Sequence, residues 1–421
     1  MDKDVDARPD LTHRMTRIRR DLHRQPEIGL HLPKTQARVL SELEGLPVEI
    51  TTGEACSSVT AVLRGSGGPG GPVVLLRADM DALAVQEQTD LEYRSEVDGA
   101  MHACGHDLHT AMLVGAAHLL AERRAELPGD VVLMFQPGEE MCDGAAVMLD
   151  EGLLTAAGRR PDAAFALHVF SSRLPQGTFV TRSGSMMAAA DGLVVTIRGL
   201  GGHGSAPHLA IDPVTVAAEC VLALQSFVTR QFDVFDPVVV GIGYFGAGDR
   251  RAPNAIPETA EFSASVRFWS ERSRAHFREH AQRLVAGIAE AHGARAEIRY
   301  VEGYPVTIND PVETDLALQT LIDLVGADRV SELQTPLSGS EDFSRVLGEI
   351  PGTFVCLGAA PMGVDLAHAA DNHSPQALFD DAVLLDGARA YTELATRRLT
   401  QLALSQHNTT TAHLVGVHQE D

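Results

Sequence analysis

Three continuous apolar runs constrain the fold of this chain more than any other feature of its sequence. They occupy residues 72–77, 130–135 and 163–167. Runs of this length that lack polar alternation are typical of strands buried on both faces of a parallel sheet. Helical patterns separate them, so the sequence predicts an α/β fold built on a doubly wound, mostly parallel sheet.

Polar side chains follow each of these runs. Asp79 and Asp81 come directly after the first run. The adjacent pair Glu139 and Glu140 follows the second run, and His168 follows the third. Ligand sites in parallel α/β sheets lie beyond the carboxyl ends of the strands. We therefore expect these side chains to meet in one site.

A segment with the sequence MHACGHD, at residues 101–107, adds a thiol and imidazoles to the candidate site. Cys104 and His106, together with the carboxylates, make up the ligand set of a zinc-like divalent site. We predict that Asp107 caps a helix extending to about residue 126. One of the neighbours His102, Asp107 and His109 is expected to orient a ligand.

Adjacent glutamates can take two different roles at such a site. One carboxylate can bind metal while the other transfers a proton of a metal-bound water. Metal-assisted hydrolysis is therefore the chemistry that the sequence favours. Structural alternatives exist for each signal. Cys104 fits a buried structural cysteine and His106 a surface histidine, and paired glutamates are common in solvated loops. His168 fits a core histidine, and His373 lies in an NHSP segment typical of a turn.

The pattern of apolar residues along the chain changes near residue 190. Strand patterns at residues 192–199, 237–245, 260–269 and 294–300 alternate with two helical patterns, the first starting at Asp212 and the second ending near Gly293. This β-α-β-β-α-β order is ferredoxin-like. We predict a domain at 190–302 inserted into a catalytic domain of residues 1–189 and 303–404, followed by a disordered tail at 405–421. His203 lies in a glycine-rich loop that suits either a tight turn or a ligand contact.

Size and charge limit the partners of the protein. A chain of 421 residues predicts about two domains. Its net charge of −23 disfavours nucleic acid and anionic membranes as partners. No apolar stretch approaches the ~20 residues of a membrane helix, and the charged N-terminus lacks the apolar core of a secretory signal. With five scattered cysteines, these features predict a cytoplasmic protein with reduced thiols.

Eight segments of the chain resemble one enzyme family. The chain is similar to the aminoacylase/carboxypeptidase family of dinuclear metallohydrolases, and most of all to the amidohydrolase subgroup that includes hippurate hydrolase and the plant auxin-conjugate hydrolases. The matching segments are residues 21–27 (DLHRQPE), 77–83 (RADMDAL), 101–110 (MHACGHDLHT), 136–140 (QPGEE), 201–208 (GGHGSAPH), 254–258 (NAIPE), 339–343 (GSEDF) and 372–375 (NHSP).

The resemblance implies roles for these residues. It makes Glu139 the general acid/base and Asp81 a carboxylate that supports the ligands. Zinc or manganese is the expected metal, with cobalt and nickel as alternatives. The two divalent ions would be bound by Cys104, His106, Glu140, His168 and His373.

The inserted domain would be a lid that also forms a homodimer or a higher oligomer. His203 would stabilise the oxyanion, within its own subunit or across the dimer. Asn254 would hold polar groups of the substrate. The chain departs from the family pattern in the loop at residues 141–144, where glycines are more usual, and at Leu108 and Ala84. These departures concern the shape of the pocket and leave the ligand set intact.

The expected function is that of a metal-dependent amidohydrolase. Its substrates would be N-acyl amino acids or similar small conjugates, cleaved by a metal-activated water with Glu139 as general acid/base. One alternative is an amidase with Cys104 as nucleophile and His106 as base. Another is a non-catalytic, metal-binding dimeric scaffold, which would have no use for a base beside a metal ligand.

Overall fold

The computed structural model describes residues 8–68 and 70–416, with side chains through residue 406. Within this range the chain divides into two compact units. The first comprises the residues up to Gly184, Ile308–Gln334 and the residues from Arg345 onward. The second comprises Ser185–Thr307 and Thr335–Ser344, so a segment beyond the predicted bounds of 190–302 belongs with it.

The helices and strands follow the chain in this order. The helices are α1 (Pro9–Arg24), α2 (Pro33–Leu43), α3 (His106–Glu122), α4 (Gly144–Asp150), α5 (Pro213–Gln231), α6 (Glu271–Ala291), α7 (Pro311–Val325), α8 (Phe343–Leu347) and α9 (Leu384–Gly416). The strands are β1 (Val48–Thr52), β2 (Val59–Leu63), β3 (Val73–Asp79), β4 (Asp130–Gln136), β5 (Ala163–Phe170), β6 (Phe179–Thr181), β7 (Gly184–Met187), β8 (Ala189–Arg198), β9 (Gly202–His203), β10 (Val238–Ala247), β11 (Ala255–Ile256), β12 (Thr259–Phe268), β13 (Arg295–Val301), β14 (Thr307–Asn309), β15 (Val330–Glu332) and β16 (Gly352–Gly358).

A large, mostly parallel sheet forms the centre of the first unit. Its strand order is β1-β2-β4-β3-β5-β16-β6-β15. The central strands β4, β3, β5 and β16 run parallel to one another, whereas β1, β2 and β4 pair antiparallel. Every residue of β3, β5 and β16 is buried. The three apolar runs are therefore central strands, and the predicted mixed α/β architecture with a mostly parallel sheet is confirmed.

Helix α3 lies in the core of the first unit, where it packs against α1, α9 and β3. Its buried residues surround the helix on all sides, which is typical of a helix enclosed by other elements. Gly115 permits the close approach of α1, because a Cβ atom at that position would lie 2.2 Å from Met15 Sδ. The helix therefore holds its first residue, His106, in a fixed place.

The start of α3 differs from the prediction. Asp107 is not the N-cap, because the helix begins at His106 and is preceded by Gly105 in a left-handed conformation with φ 82°. Only glycine adopts that conformation without strain, and a Cβ atom there would lie 2.4 Å from Val169 Cγ2. The α-helix ends at Glu122, and a short 3-10 helix at Arg124–Glu126 follows it up to the predicted end near residue 126.

A four-stranded antiparallel sheet, ordered β10-β12-β8-β13, forms the second unit together with α5 and α6. The sequence of elements is strand, helix, strand, strand, helix, strand. Asp212 caps α5 as predicted, because its side chain accepts the N–H of Val214 at 2.9 Å. The strand predicted at residues 260–269 is β12, and its residues Phe262, Val266 and Phe268 are fully buried.

The last helix, α9, is longer than the sequence suggested. It continues through Gly416, so the predicted disorder of residues 405–421 is wrong for 405–416, and residues 417–421 lie outside the described range. Extending an existing helix adds one hydrogen bond for each residue without a new nucleation cost, so polar residues can follow an apolar helix. Among the described residues, no helix is both long and apolar enough to cross a membrane.

Candidate metal centre

The five predicted ligands come from separate segments of the first unit. Cys104 and His106 lie on either side of Gly105, the residue that precedes α3. Glu140 follows β4, and His373 lies between β16 and α9. His168 does not follow its strand as predicted, because β5 continues through Phe170. Its side chain is nevertheless part of the cluster formed by the other four.

Short distances connect these side chains. His373 Nε2 lies 3.2 Å from Cys104 Sγ and 3.2 Å from Glu140 Oε1. Cys104 Sγ lies 3.5 Å from His168 Nε2, and Glu140 Oε1 lies 4.0 Å from His106 Nε2. Donor atoms lie within 4.8 Å of one another in each of three overlapping groups, all of which could hold a metal ion. The groups are Cys104, His106 and His168; Cys104, Glu140 and His373; and His106, Glu139 and Glu140.

The surroundings of His106 suit a cation. Both of its ring nitrogens are buried and make no hydrogen bond within the described part of the chain. Carboxylate oxygens of Asp79 and Asp81 lie 3.5 Å from those nitrogens. Burial alone would lower the pKa of His106, but the negative charge of Asp79 raises it well above its ordinary value. Buried polar atoms normally have partners, so a metal ion would complete this site.

The outer side of the cluster also favours positive charge. Hydrogen bonds to the Cys104 thiol and the Glu140 carboxylate raise the pKa of His373 to about 10. Burial would raise the pKa of Glu140, yet its contacts with His373 and His106 lower it. The same surroundings, which favour a positive charge on His373 and a negative charge on Glu140, would also stabilise a divalent ion. Sulfur, imidazole and carboxylate together fit zinc and its neighbours.

Asp81 fixes the backbone of the glutamate pair. One of its carboxylate oxygens accepts the N–H of Glu139 at 3.0 Å, and the other accepts the N–H of Glu140 at 3.0 Å. The Met141 N–H donates to the Glu139 carbonyl at 3.0 Å, which closes a tight turn around Glu140. Asp81 is therefore placed to hold both glutamates in position without occupying their carboxylates.

Comparison with known proteins identifies the family. The sequence profile of peptidase family M20/M25/M40 matches residues 75–397. The chain belongs to this family. Similar relatives include the N-acetylcysteine deacetylase of Bacillus subtilis, which is 37% identical over 91% of this chain and 96% of that protein. They also include the thermostable carboxypeptidase 1 of Saccharolobus solfataricus, 38% identical over 90% of this chain and 94% of that protein.

Two further relatives support the assignment of this M20 chain. An IAA-amino acid hydrolase of Arabidopsis thaliana is 36% identical over 95% of this chain and 89% of its own length. A dinuclear metal-binding peptidase of the M20 family from Bacillus subtilis superimposes with a TM-score of 0.78 and 33% identity. That match covers 94% of this chain and 99% of the other. Together these findings make the chain a metal-dependent amidohydrolase, a hydrolase that acts on amide bonds.

A buried network of charged side chains, which the sequence did not indicate, holds the start of α3. Arg19 Nε and His23 Nδ1 lie 2.9 Å and 2.8 Å from Asp107 Oδ2. His23 Nε2 also lies 3.3 Å from Glu87. All four side chains are almost fully buried. His23 lies in one of the resembling segments, but a sequence gives no sign of which carboxylates a histidine will meet in the fold.

The other two neighbours of His106 differ in what they contact. His102 makes no hydrogen bond within the described residues, and burial lowers its pKa to about 3, so it is neutral. His109 Nδ1 lies 2.5 Å from Asp79 Oδ1, and the Val169 N–H donates to His109 Nε2 at 2.8 Å. His109 is therefore the neighbour that connects a carboxylate to the strand carrying a predicted ligand.

The remaining predicted residues, His203 and Asn254, lie together in the second unit. His203 pairs with Ala255 in the short β9–β11 ladder, and the Gly204 N–H donates to the Asn254 carbonyl at 2.7 Å. The exposed ring of His203 accepts the Ser205 N–H at 3.1 Å through Nδ1. Its Nε2 atom is the nitrogen left to act as a donor to a bound group.

Proposed function

We propose that this M20 amidohydrolase removes the acyl group from N-acyl amino acids or similar small conjugates. The observation that carries the proposal is the position of Glu139, a buried carboxylate beside the Glu140 ligand candidate, with its backbone held by Asp81. Two relatives support the substrate class, since one is named as an N-acetylcysteine deacetylase and another as an IAA-amino acid hydrolase. Both names describe an acyl–amino acid amide.

The cluster described above is the proposed site of two divalent ions. When bound, the ions would polarise the substrate carbonyl and lower the pKa of a coordinated water. The dinuclear peptidase with a similar structure supports the number of ions, and the donor set supports zinc or manganese, with cobalt or nickel as alternatives. The proposed ligands are Cys104, His106, Glu140, His168 and His373.

Glu139 is the proposed carrier of the proton. Its carboxylate would accept a proton from the attacking water and pass it to the nitrogen of the leaving amine. Asp81 would hold the backbone amides of both glutamates, so that Glu140 is placed to bind metal and Glu139 to transfer the proton. If Glu140 binds metal and Glu139 carries the proton, loss of the Glu139 carboxylate should lower turnover far more than it lowers metal content.

The second unit is the proposed lid. Its element order and its sheet order support a ferredoxin-like domain. His203 would donate to the oxyanion of the tetrahedral intermediate, and Asn254 would hold polar groups of the substrate. Large apolar side chains that are exposed on this unit support a homodimer, because such surfaces often mark protein interfaces. Phe235, Val234 and Leu222 are 93%, 78% and 71% exposed.

A metal-reconstitution screen tests the proposal. The purified protein would be stripped with a chelator and reloaded separately with zinc, manganese, cobalt or nickel. It would then be assayed against N-acetyl and N-aromatic-acyl amino acids, with unblocked dipeptides and carboxypeptidase substrates as comparison. We expect no turnover after stripping, and recovery with at least one metal on the acyl amino acids.

Three outcomes of this screen would contradict the proposal. Full turnover by stripped protein that iodoacetamide abolishes would favour a Cys104 nucleophile. Turnover of carboxypeptidase substrates alone would retain the metal chemistry but reject the proposed substrate class. Binding of metal without turnover of any amide would favour the scaffold hypothesis.

A further inference from the structure

His109 joins a carboxylate to a backbone amide within the core of the first unit. Its Nε2 atom lies 2.8 Å from the Val169 nitrogen. A backbone N–H can only donate, so Nε2 must accept and carries no proton. The proton of the neutral ring is therefore on Nδ1, which donates to Asp79 Oδ1 at 2.5 Å. Both nitrogens are occupied, so His109 has no lone pair left for a metal ion.

The amide that His109 holds belongs to the residue after His168. The carbonyl of the same residue, Val169, lies 2.9 Å from His168 Nδ1. A carbonyl only accepts, so the proton of the neutral His168 ring is on Nδ1 and its Nε2 atom carries the lone pair. That Nε2 atom is the one 3.5 Å from Cys104 Sγ. Val169 thus receives support from His109 at its N–H and orients His168 with its carbonyl.

Buried contacts fix the position of Asp79, the carboxylate to which His109 donates. Asp79 and His109 are completely buried. Arg77 Nη1 donates to Asp79 Oδ2 at 2.7 Å, and the hydroxyl of Thr110 donates to the Asp79 carbonyl at 3.0 Å. Asp79 therefore cannot shift to follow a displaced histidine. An unpaired Val169 N–H would also find no water in this buried strand, and such a loss is costly.

We propose that His109 is a positioning residue that sets the orientation of His168 through the Val169 backbone, and thereby the affinity of the cluster for a divalent ion. The inference rests on the proposed metal site and concerns how that site is built. Partners that orient metal ligands typically contribute about 10–100-fold in affinity. The gain in metal affinity is assigned to His109 Nε2, which accepts the Val169 N–H, and not to the hydrogen bond between His109 Nδ1 and Asp79.

Two variants separate these contributions. In His109→Gln, the longer amide can place an oxygen near the position of Nε2 and still accept the Val169 N–H. In His109→Asn, the shorter amide can replace Nδ1 and donate to Asp79, but it leaves the Val169 N–H without an acceptor. Zinc affinity would be measured by competition with a chromophoric chelator, which does not depend on turnover. Urea unfolding of the metal-free proteins would report their stability.

We expect His109→Asn to weaken zinc binding by about 10–100-fold, and His109→Gln to remain within a few-fold of the wild type. Equal weakening in both variants, or wild-type affinity in His109→Asn, would overturn the proposal. A purely structural role would lower the unfolding free energy of both metal-free variants without changing zinc affinity. If the wild type itself bound no zinc, manganese, cobalt or nickel, the proposed function would fail instead.

A measurement on the wild type keeps the proposal testable if His109→Asn does not fold. Nitrogen-15 NMR of histidine-labelled protein distinguishes a protonated Nδ1 from a protonated Nε2, and His109→Gln assigns the signal. We expect His109 to carry its proton on Nδ1 both with and without zinc. A proton on Nε2 in either state would contradict the acceptor role, because Nε2 could not then accept the Val169 N–H.

Discussion

His373 Nε2 lies 3.2 Å from Cys104 Sγ although 269 positions separate the two residues in the chain. The backbone of His373 is left-handed, with φ 70°, and its N–H donates to the Ala103 carbonyl at 2.8 Å. A non-glycine residue in this conformation costs about 1–3 kcal/mol and persists where the surroundings enforce it. The hydrogen bond to Ala103 therefore holds His373 against the thiol at an energetic cost typical of functional sites.

Replacement of Cys104 by alanine should lower metal content and not only turnover. The Cys104 sulfur lies close to His168 and His373, two other proposed ligands, and alanine offers no donor atom in its place. We expect metal affinity to fall by at least about tenfold, the lower end of what even a supporting partner contributes. Elemental analysis after equilibration with zinc measures the effect, and Cys220→Ala provides a control because Cys220 is a buried thiol of the second unit. Two ions retained at wild-type affinity in Cys104→Ala would exclude the ligand assignment and revive the nucleophile hypothesis.

The second unit should lose stability in acid through Asp191. This buried carboxylate accepts Arg274 Nη2 at 2.7 Å, the Tyr300 hydroxyl at 2.5 Å and the Gly303 N–H at 2.9 Å. Burial would raise the pKa of Asp191, but these contacts lower it. Its stabilisation is therefore complete above the unfolded-state pKa of about 3.9 and disappears as pH falls through the lower native pKa.

Asp191→Asn should accordingly lower the unfolding free energy at pH 7, by at most the roughly 3–5 kcal/mol that is typical of breaking a buried ion pair, because Arg274 keeps its contacts with the Gly303 carbonyl at 3.1 Å and with Glu271 at 3.4 Å. The difference from wild type should persist down to about pH 5 and close below pH 4. The single tryptophan of the chain, Trp269, lies in this unit, so its fluorescence in urea reports the transition. Asp249→Asn, which removes an exposed ion pair with Arg251, should change little. A pH-independent effect of Asp191→Asn would contradict this assignment.

Glycine at position 141 should stabilise the protein. Met141 is 92% exposed and adopts a left-handed backbone with φ 81°, so it has strain and little packing to lose. Left-handed strain of about 1–3 kcal/mol exceeds the extra chain entropy of glycine, about 0.5–1 kcal/mol. We expect Met141→Gly to raise the unfolding free energy by about 1 kcal/mol and Met141→Ala to give no such gain. Equal effects of the two substitutions in thermal unfolding would exclude strain as the cause.

Loss of His203 should lower turnover without loss of metal. One oxyanion donor is worth roughly 10²–10³ in kcat, and His203 belongs to the unit that holds none of the proposed ligands. Kinetics of His203→Ala at saturating metal measure the effect, with His208→Ala, another histidine of the same segment, as the control. Wild-type kcat in His203→Ala would reject the oxyanion role.

Mixed oligomers test whether His203 acts across a dimer. His203→Ala and Glu139→Gln subunits would be combined and the heterodimer isolated with two affinity tags. If the histidine acts in trans, one site of the heterodimer is intact and part of the activity returns. Absence of any rescue in an isolated heterodimer would restrict the role of His203 to its own subunit.

The parts of the fold that follow from local patterns were predictable. The run at residues 130–135 became strand β4, and Asp212 caps α5, because burial on both faces and helix capping depend on neighbouring residues in the chain. The start of α3 was not predictable, since Gly105 precedes the helix in a left-handed conformation and the carboxylate of Asp107 contacts Arg19. No local pattern reveals a partner so distant in the sequence.

In the candidate site, too, the residue types were predictable from the sequence but their contacts were not. The resemblance supplied the residue types, but the sequence could not show that Asp81 holds two adjacent amides or that His109 supports Val169. Asp79 was expected at the site because it is an acidic residue at the end of a buried strand, and His109 was one of three neighbours of His106 expected to orient a ligand. Their contacts depend on how β3, β5 and α3 meet in the fold, which no pattern within one segment specifies.

Glu139→Gln tests the central claim most directly. The amide preserves the size of the side chain and removes its ability to accept a proton, while Asp81 still holds the backbone. In one preparation, metal per chain and kcat on a hydrolysed N-acyl amino acid would be measured for wild type and variant. We predict unchanged metal content and a kcat lowered by about 10²–10⁴-fold, the usual contribution of a general acid/base. A fully metallated Glu139→Gln protein that turns over at near the wild-type rate would contradict the account.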